Sequence, residues 1–417
     1  MSESGRNKRC SFCEKSGDET GPLVAGSGAV YICVACASAS KSLIEDSLKK
    51  RTKPKKLPVP SPKGLCEHLD KYVIGQALAK RRLSVEVSNH FQRLADKQGR
   101  RRQSGSLLDD PELDGVEIEK ANVVVVGPTG VGKTLLAKSL AEKLNVPFAI
   151  GDATTLTEAG YVGEDVENLI LKLLVAADFD IEAAQRGIVY IDEIDKLRST
   201  GGNVSITRDV SGQGVQQSLL KLIEGTVANV PPRGGRKHPE QEYIPVDTTD
   251  ILFVCGGAFV GVEEIVKKRL NRGGMGFGAR LSSPPKEEYN EVIKELTHED
   301  LEQFGLIPEL VGRLPVIATL EELDVESLKR VLVEPKNALL KQERKKLAYK
   351  GVELVFTDDA VHEIAVQADK KGTGARALRA VVADFMTDIH FDVKKESGKI
   401  VVDRDVVLKA AGRANAA

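Results

Sequence analysis

Gly127-Pro128-Thr129-Gly130-Val131-Gly132-Lys133-Thr134 has the spacing G-x-x-x-x-G-K-[ST], the pattern of a loop that cradles phosphates. Its glycines let backbone N–H groups come close to phosphate oxygens, and a helix opening at its end would turn the positive end of its dipole toward them. Lys133 is placed to reach the β- and γ-phosphates, and Thr134 to offer its hydroxyl to Mg2+. Further along, the apolar run Ile188-Val189-Tyr190-Ile191 ends in Asp192-Glu193. Asp192 can hold the same Mg2+ through water, and Glu193 can orient and deprotonate an attacking water. The chemistry these residues fit is hydrolysis of a nucleoside triphosphate.

Such groups need a rigid frame, and the surrounding pattern supplies one. Short β-rich runs at 123–126, 148–150, 188–191 and 251–255 read as strands covered on both faces. Helix-like stretches separate them, including 135–144 and the repeat of Val215, Leu219, Leu220 and Ile223. The expected architecture is a doubly wound α/β parallel sheet with flanking helices. Three polar, glycine-rich intervals, 198–214, 225–250 and 271–286, interrupt it and read as loops that are either functional or disordered. From 321 onward the pattern becomes mostly helical, with a short β-like segment at 352–356 and helices at 358–368 and 375–393, so a smaller second domain is expected.

The leaving γ-phosphate also needs positive charge, which an arginine can supply in cis or from a neighbour. Arg313, in Pro308-Glu309-Leu310-Val311-Gly312-Arg313-Leu314, and Arg376, in Gly372-Thr373-Gly374-Ala375-Arg376, are candidates; on spacing alone each reads first as a surface or salt-bridged arginine.

Cys10-x2-Cys13 and Cys33-x2-Cys36 have the spacing of a four-thiolate zinc site. Four protein ligands leave no open position, so the ion would be structural. Cys66 and Cys255 have no partner at ligand spacing, and Cys255 reads as a buried strand residue. The stretch KKRTKPKKLPVPSP that follows the cysteine region is basic and rich in proline. It reads as a linker, with a nucleic-acid or membrane contact as the alternative.

Three loops carry side chains suited to contact. Gly160-Tyr161-Val162-Gly163 can project an apolar pair that grips a peptide by area, or Tyr161 can pack into the core. Arg233, Arg236, Lys237 and His238, beside Gly234 and Gly235, can attract carboxylates at a pore mouth or nucleic acid, or can form a plain solvated loop. Met275-Gly276-Phe277 is an apolar tip between glycines, suited to a partner's pocket. The GGMGFG run follows a helix-like stretch rather than a strand, so it fails the context test of a dinucleotide fingerprint.

Composition narrows the classes. A net charge of −1, aromatics at 4% and no Trp argue against a general polyanion binder. No apolar run is long enough for a membrane span and nothing resembles a signal peptide, so a soluble cytoplasmic protein is expected. Neither G-x-S-x-G nor H-E-x-x-H occurs, so the chain shows no protease constellation of its own.

The cysteine quartet, GPTGVGKT, GYVG, IVYIDEID, GGRKHP, MGFG, PELVGRLPV and GTGARALR occur in an order that resembles the ClpX family of AAA+ unfoldases, over essentially the whole chain. The resemblance implies a ring-shaped homo-hexamer that binds ATP between large and small domains, close to the neighbouring subunit. It implies Val73 and Ile74 as adenine contacts, with residues 127–134 and Leu135 around the phosphates. It makes Arg313 a trans-acting finger and Arg376 a nucleotide sensor. Tyr161 and Val162 match the loop that grips substrate, and Arg236, Lys237 and His238 a pore-entrance loop that helps recognise tags. Met275, Gly276 and Phe277 match the tripeptide that docks the ClpP peptidase; Met275 departs from the family's frequent Ile but stays apolar. The cysteine module matches a dimerising domain that receives adaptors and some substrates.

The expected organisation is a zinc-binding domain at 1–48, a linker at 49–63, a large AAA+ α/β domain at 64–319 and a small domain at 320–417. The expected function is an ATP-driven unfoldase and translocase that needs ATP, Mg2+ and Zn2+, feeds ClpP, and binds neither membrane nor nucleic acid. Three rivals remain at this point: an HslU-type unfoldase, a zinc-ribbon ATPase that remodels nucleic acid, and a nucleotide-controlled scaffold. The cysteine module and the MGF loop speak against the first, the near-neutral charge against the second, and Glu193 against the third. No residue after the run 251–255 offers itself as a sensor of the γ-phosphate.

Overall fold

The computed structural model of the 417-residue chain describes residues 8–28, 30–51, 59–97, 111–113, 116–157, 164–198, 212–231, 243–270, 286–393 and 398–414. The chain divides into two compact units, 1–57 and 58–417.

The first unit pairs Leu23–Ala25 with Tyr31–Cys33 antiparallel and follows them with a helix, Val34–Arg51. Among its described residues the buried apolar side chains are Cys10 and Cys33. A unit this small with so little apolar core cannot offset its chain entropy by burial alone. The helix carries three residues into the stretch expected as linker, and a new helix, Pro62–Asp70, begins before that stretch ends, with Ser61 Oγ accepting from Gly64 N at 3.1 Å.

The second unit is built on five parallel strands: β1 (Val123–Val126), β2 (Phe148–Asp152), β3 (Ile188–Asp192), β4 (Leu252–Gly257) and β5 (Val316–Thr319). Their order across the sheet is β5-β1-β4-β3-β2, so the chain starts near one edge and winds to both sides. Burial follows position. Every residue of β1 and β4 is buried, as central strands covered by helices on both faces require, whereas β2, at an edge, leaves Ile150 45% exposed. Four strands fall where the β-rich runs lie; β5 was not read as a strand from the sequence, because it follows a short helix (Pro308–Gly312) in a stretch of mixed pattern.

The interval 225–250 differs from the simple loop expected of it. Val227–Val230 pairs antiparallel with Ile244–Asp247, and Ala228, Val230 and Val246 point into the core. The alternation is short, with Asn229 and Pro245 at its exposed positions, which hides it in the sequence. In the helix Gln213–Glu224 the buried stripe is Val215, Leu219, Leu222 and Ile223, with Leu220 only half-buried.

The C-terminal part is helical: Val325–Val333, Leu339–Ala348, Asp358–Lys370, Ala375–Asp392 and Arg404–Ala414. Asp324 and Thr357 cap the first and third by accepting from Ser327 N (2.7 Å) and Ala360 N (3.2 Å). A two-stranded parallel pair, Glu353–Phe356 with Lys399–Val402, closes this domain. No helix among the described residues is long and apolar enough to cross a membrane.

Candidate functional site: a nucleotide cavity and a thiolate cluster

The phosphate loop leaves the C-terminal end of β1, and the helix Lys133–Leu144 starts immediately after it, so the helix N-terminus faces the loop. Lys133 Nζ donates to the loop's own carbonyls, Gly127 O (2.7 Å) and Pro128 O (2.8 Å). Burial pushes this ammonium below its usual range, while Asp192 and then Asp195 pull it back. Thr134 Oγ1 donates to Asp192 Oδ2 at 3.1 Å, which brings the two hard-oxygen groups expected to serve Mg2+ side by side. The donor set therefore fits the ion.

The turn after β3 is shaped by Glu193, whose φ of 57° lies in the left-handed region. For a residue with a Cβ this costs about 1 kcal/mol. It is held by Glu193 N donating to Asp192 Oδ1 (3.0 Å) and Lys196 N donating to Glu193 O (3.0 Å).

A cavity of about 440 Å3 gathers these groups; its wall includes Thr129, Gly130, Gly132, Lys133, Thr134, Leu135, Asp192, Glu193 and Arg376. Arg376 comes from the C-terminal domain, one residue into the helix Ala375–Asp392. The contact that carries it is close. Ala375 N donates to Gly130 O at 3.1 Å, and a Cβ on Gly130 (φ 83°) would sit 2.2 Å from Thr373 O. Only glycine lets the two backbones meet there.

On the other side, Val73 and Ile74 are buried, and Val73 lies beside Gly132, where a Cβ would be 3.6 Å from its Cγ1. Lys80 Nζ donates to Val73 O (2.6 Å) and to Asp70 Oδ1 (2.7 Å). Gln76 then ties this segment to the C-terminal domain through a reciprocal pair with Glu321: Nε2 donates to Glu321 O (2.9 Å) and Oε1 accepts from Glu321 N (2.8 Å).

Three contributors escaped the sequence reading. Asp195, 4% exposed, lines the cavity and accepts from Ala258 N at 3.2 Å, just past the end of β4. β4 itself ends in Gly256-Gly257 with Ala258 following, and so offers no polar side chain there. Tyr190 passed as one more apolar strand residue, yet its hydroxyl donates to Asp192 Oδ1 at 3.3 Å. Burial, and then the Asp192 charge, push the Tyr190 phenol upward, so it stays a donor. Gln76 carried no signal beyond its neighbours. The DEID spacing was the available pointer to Asp195.

Arg313 lies elsewhere. It follows the short helix Pro308–Gly312 and precedes β5, at the end of the sheet opposite the phosphate loop. β1 alone spans about 13 Å at ~3.3 Å per residue, farther than an arginine side chain reaches. Arg313 instead borders a separate cavity of about 390 Å3 with Asn122, Glu224 and Lys120.

In the first unit the Sγ atoms of Cys10, Cys13, Cys33 and Cys36 all lie within 4.8 Å of one another, with Cys13 and Cys33 3.8 Å apart. Tetrahedral zinc with Zn–S near 2.3 Å sets sulfurs about 3.8 Å apart, so the cluster fits the ion. Backbone amides turn toward the sulfurs: Cys33 N donates to Cys10 Sγ (3.3 Å) and Cys36 N to Cys33 Sγ (3.4 Å). Burial raises the Cys10 thiol, but the N–H groups of Cys33, Cys13 and Phe12 outweigh it and bring it down to about 6. Hydrogen bonds from Cys33 and Cys13, with burial, push Cys36 up to about 12. Chelating the metal, or Cys13→Ser, is expected to unfold residues 8–46 while the ATPase unit stays folded. Limited proteolysis with a parallel ATPase assay reads this out, and a protease-resistant module without metal contradicts it.

Tyr161, Val162, Arg236, Lys237, His238, Met275, Gly276 and Phe277 lie outside the described residues.

The sheet order and a nucleotide cavity walled by two domains define a AAA+ ATPase. Residues 118–317 match the family described as AAA domain (Cdc48 subfamily), 8–46 the ClpX C4-type zinc finger, and 323–392 the C-terminal, D2-small domain, of ClpB protein. The chain is 51% identical over 410 residues to the ATP-dependent Clp protease ATP-binding subunit ClpX of Borrelia duttonii, and equally to that of Borrelia recurrentis, covering 98% of this chain and 92% of each relative. To the ClpX of Treponema denticola it is 48% identical over 406 residues, 97% of this chain and 95% of the relative. The chain belongs to the ClpX family. The zinc finger and the full-length likeness set aside the HslU-type and nucleic-acid readings.

Proposed function

We propose that ATP hydrolysis in this chain drives the unfolding and translocation of protein substrates and their delivery to the ClpP peptidase, in the cytoplasm. The observation that carries this reading is the likeness over 98% of the chain to relatives named as the ATP-binding subunit of the Clp protease. It agrees with a chain that has ATPase geometry and no protease constellation.

Within the cavity, Lys133 exchanges its bonds to Gly127 O and Pro128 O for phosphate oxygens. Thr134 and Asp192 would hold Mg2+, which supplies charge to neutralise the β- and γ-oxygens. Glu193 orients the attacking water and takes its proton. Arg376 closes the cavity in cis, and its place on the cavity wall supports that role. Arg313 serves the nucleotide of the next subunit in a homo-hexamer, a role supported by its distance from its own phosphate loop.

The load is a polypeptide. Two tethers, Ala375 N to Gly130 O and Gln76 with Glu321, join the phosphate loop and its adenine-side segment to the C-terminal domain. A change in what the loop holds is therefore passed to that domain. Tyr161 and Val162, between the two nucleotide motifs in sequence, grip the chain; Arg236, Lys237 and His238 receive tags; Met275, Gly276 and Phe277 dock the peptidase. The zinc unit pairs with a second copy and receives adaptors. Native domains are stable by only about 5–15 kcal/mol, so repeated pulls on one end suffice to unfold them. Tyr161→Ala is expected to hydrolyse ATP near the normal rate and unfold a stable reporter poorly. Unfolding at the normal rate by this variant refutes the grip.

A further inference from the structure

β1 carries the phosphate loop at one end and Asn122 at the other. Asn122 is 2% exposed, and both ends of its amide are used: Nδ2 donates to Arg313 O at 3.1 Å, and Oδ1 accepts from Phe253 N of β4 at 3.2 Å. Nδ2 also lies 3.5 Å from Ile223 O, the residue before Glu224. The main chain of Arg313 is thereby fastened to the central strands and to the end of the helix Gln213–Glu224. Its side chain is fastened from that same helix end, where Glu224 Oε1 accepts from Arg313 Nε at 2.9 Å. The bond uses the inner nitrogen of the guanidinium. No hydrogen bond among the described residues uses the terminal pair, the fork that meets phosphate oxygens two at a time.

We infer that Asn122 and Glu224 are positioning residues for Arg313: Asn122 fixes its main chain to the sheet, and Glu224 holds its guanidinium by Nε so that the terminal nitrogens remain for a phosphate oxygen. The inference rests on the reading of Arg313 as the group that serves a neighbouring subunit's nucleotide. Stability does not account for Glu224. The pair is half-exposed, 55% for the Arg313 side chain and 40% for Glu224, and an exposed ion pair adds little to folding. Orientation does account for it, since an unheld arginine spends its time in rotamers that point away from the reacting group. The same short strand would then tie a subunit's own phosphate loop to the arginine it lends to its neighbour.

The test is steady-state ATPase on the assembled full chain, with thermal midpoints measured alongside. Glu224→Ala is expected to lower kcat about tenfold or more with KM for ATP and the midpoint unchanged, and Glu224→Gln, which keeps an acceptor oxygen, to retain most of the rate. In single-turnover assays, Glu224→Ala is expected to add no further loss to Arg313→Ala. A wild-type kcat in Glu224→Ala overturns the inference, as does a loss that persists in full when Arg313 is already gone. Arg313→Ala separates the two levels. If it hydrolyses normally, its assigned role and this inference fall together; if it is inactive while Glu224→Ala is not, only the inference falls.

Discussion

Glu193→Gln is expected to leave ATP bound and to lower its hydrolysis by about 10²–10⁴-fold, the usual worth of a positioned base. Glutamine matches glutamate in size, so the left-handed turn at 193 and the bond from its N–H to Asp192 Oδ1 persist. Thr134, Asp192 and Lys133 are untouched, and they are the groups that would hold the phosphates and Mg2+. What disappears is the capacity to take a proton from water. Binding of a fluorescent ATP analogue and release of phosphate, measured on one preparation, separate the two steps. Hydrolysis at the normal rate would remove Glu193 from the mechanism, and lost binding would give it a structural role instead.

Arg313→Ala is expected to cost about 10³-fold or more in hydrolysis, the scale of an arginine supplied in trans. The subunit's own cavity, whose wall includes Lys133, Thr134, Asp192, Glu193 and Arg376, should bind ATP as before. The decisive feature is complementation. Arg313→Ala keeps a complete cavity and lacks the lent arginine; Glu193→Gln lacks the base and keeps the arginine. Mixed rings of the two should hydrolyse faster than either alone, because some cavities then receive an intact Arg313 from next door. A mixture no faster than its components contradicts the shared site.

Much of the site was legible in the sequence because its chemistry is local. The phosphate loop, the acidic end of β3 and the paired cysteines each lie within a few residues, and their spacing fixes their geometry. Of the four strands read from the sequence, β1 and β3 are runs rich in β-branched residues and, with β4, are buried almost throughout, a clear one-dimensional signature, while the edge strand β2 shows only a short apolar start. What escaped depends on distant partners. Tyr190 gives no sign in the chain that its hydroxyl will meet Asp192, or that Gly256 leaves the room for it: a Cβ there would lie 2.0 Å from that oxygen. Asp195 is one acidic residue among many until β4 brings Ala258 N to it. Val227–Val230 and Ile244–Asp247 read as part of a polar interval because each strand buries only alternate residues. Arg313 and Arg376 looked alike as candidates, and the fold sets them at opposite ends of β1.

The central claim is that this ATPase spends its hydrolysis on a protein chain. The most direct measurement follows the fluorescence of a stably folded, C-terminally tagged reporter mixed with the full chain, ATP and ClpP. The account predicts loss of fluorescence that requires all of the components and stops with Glu193→Gln. A reporter that stays folded, with ATP hydrolysis that responds to DNA and not to the tag, would contradict it.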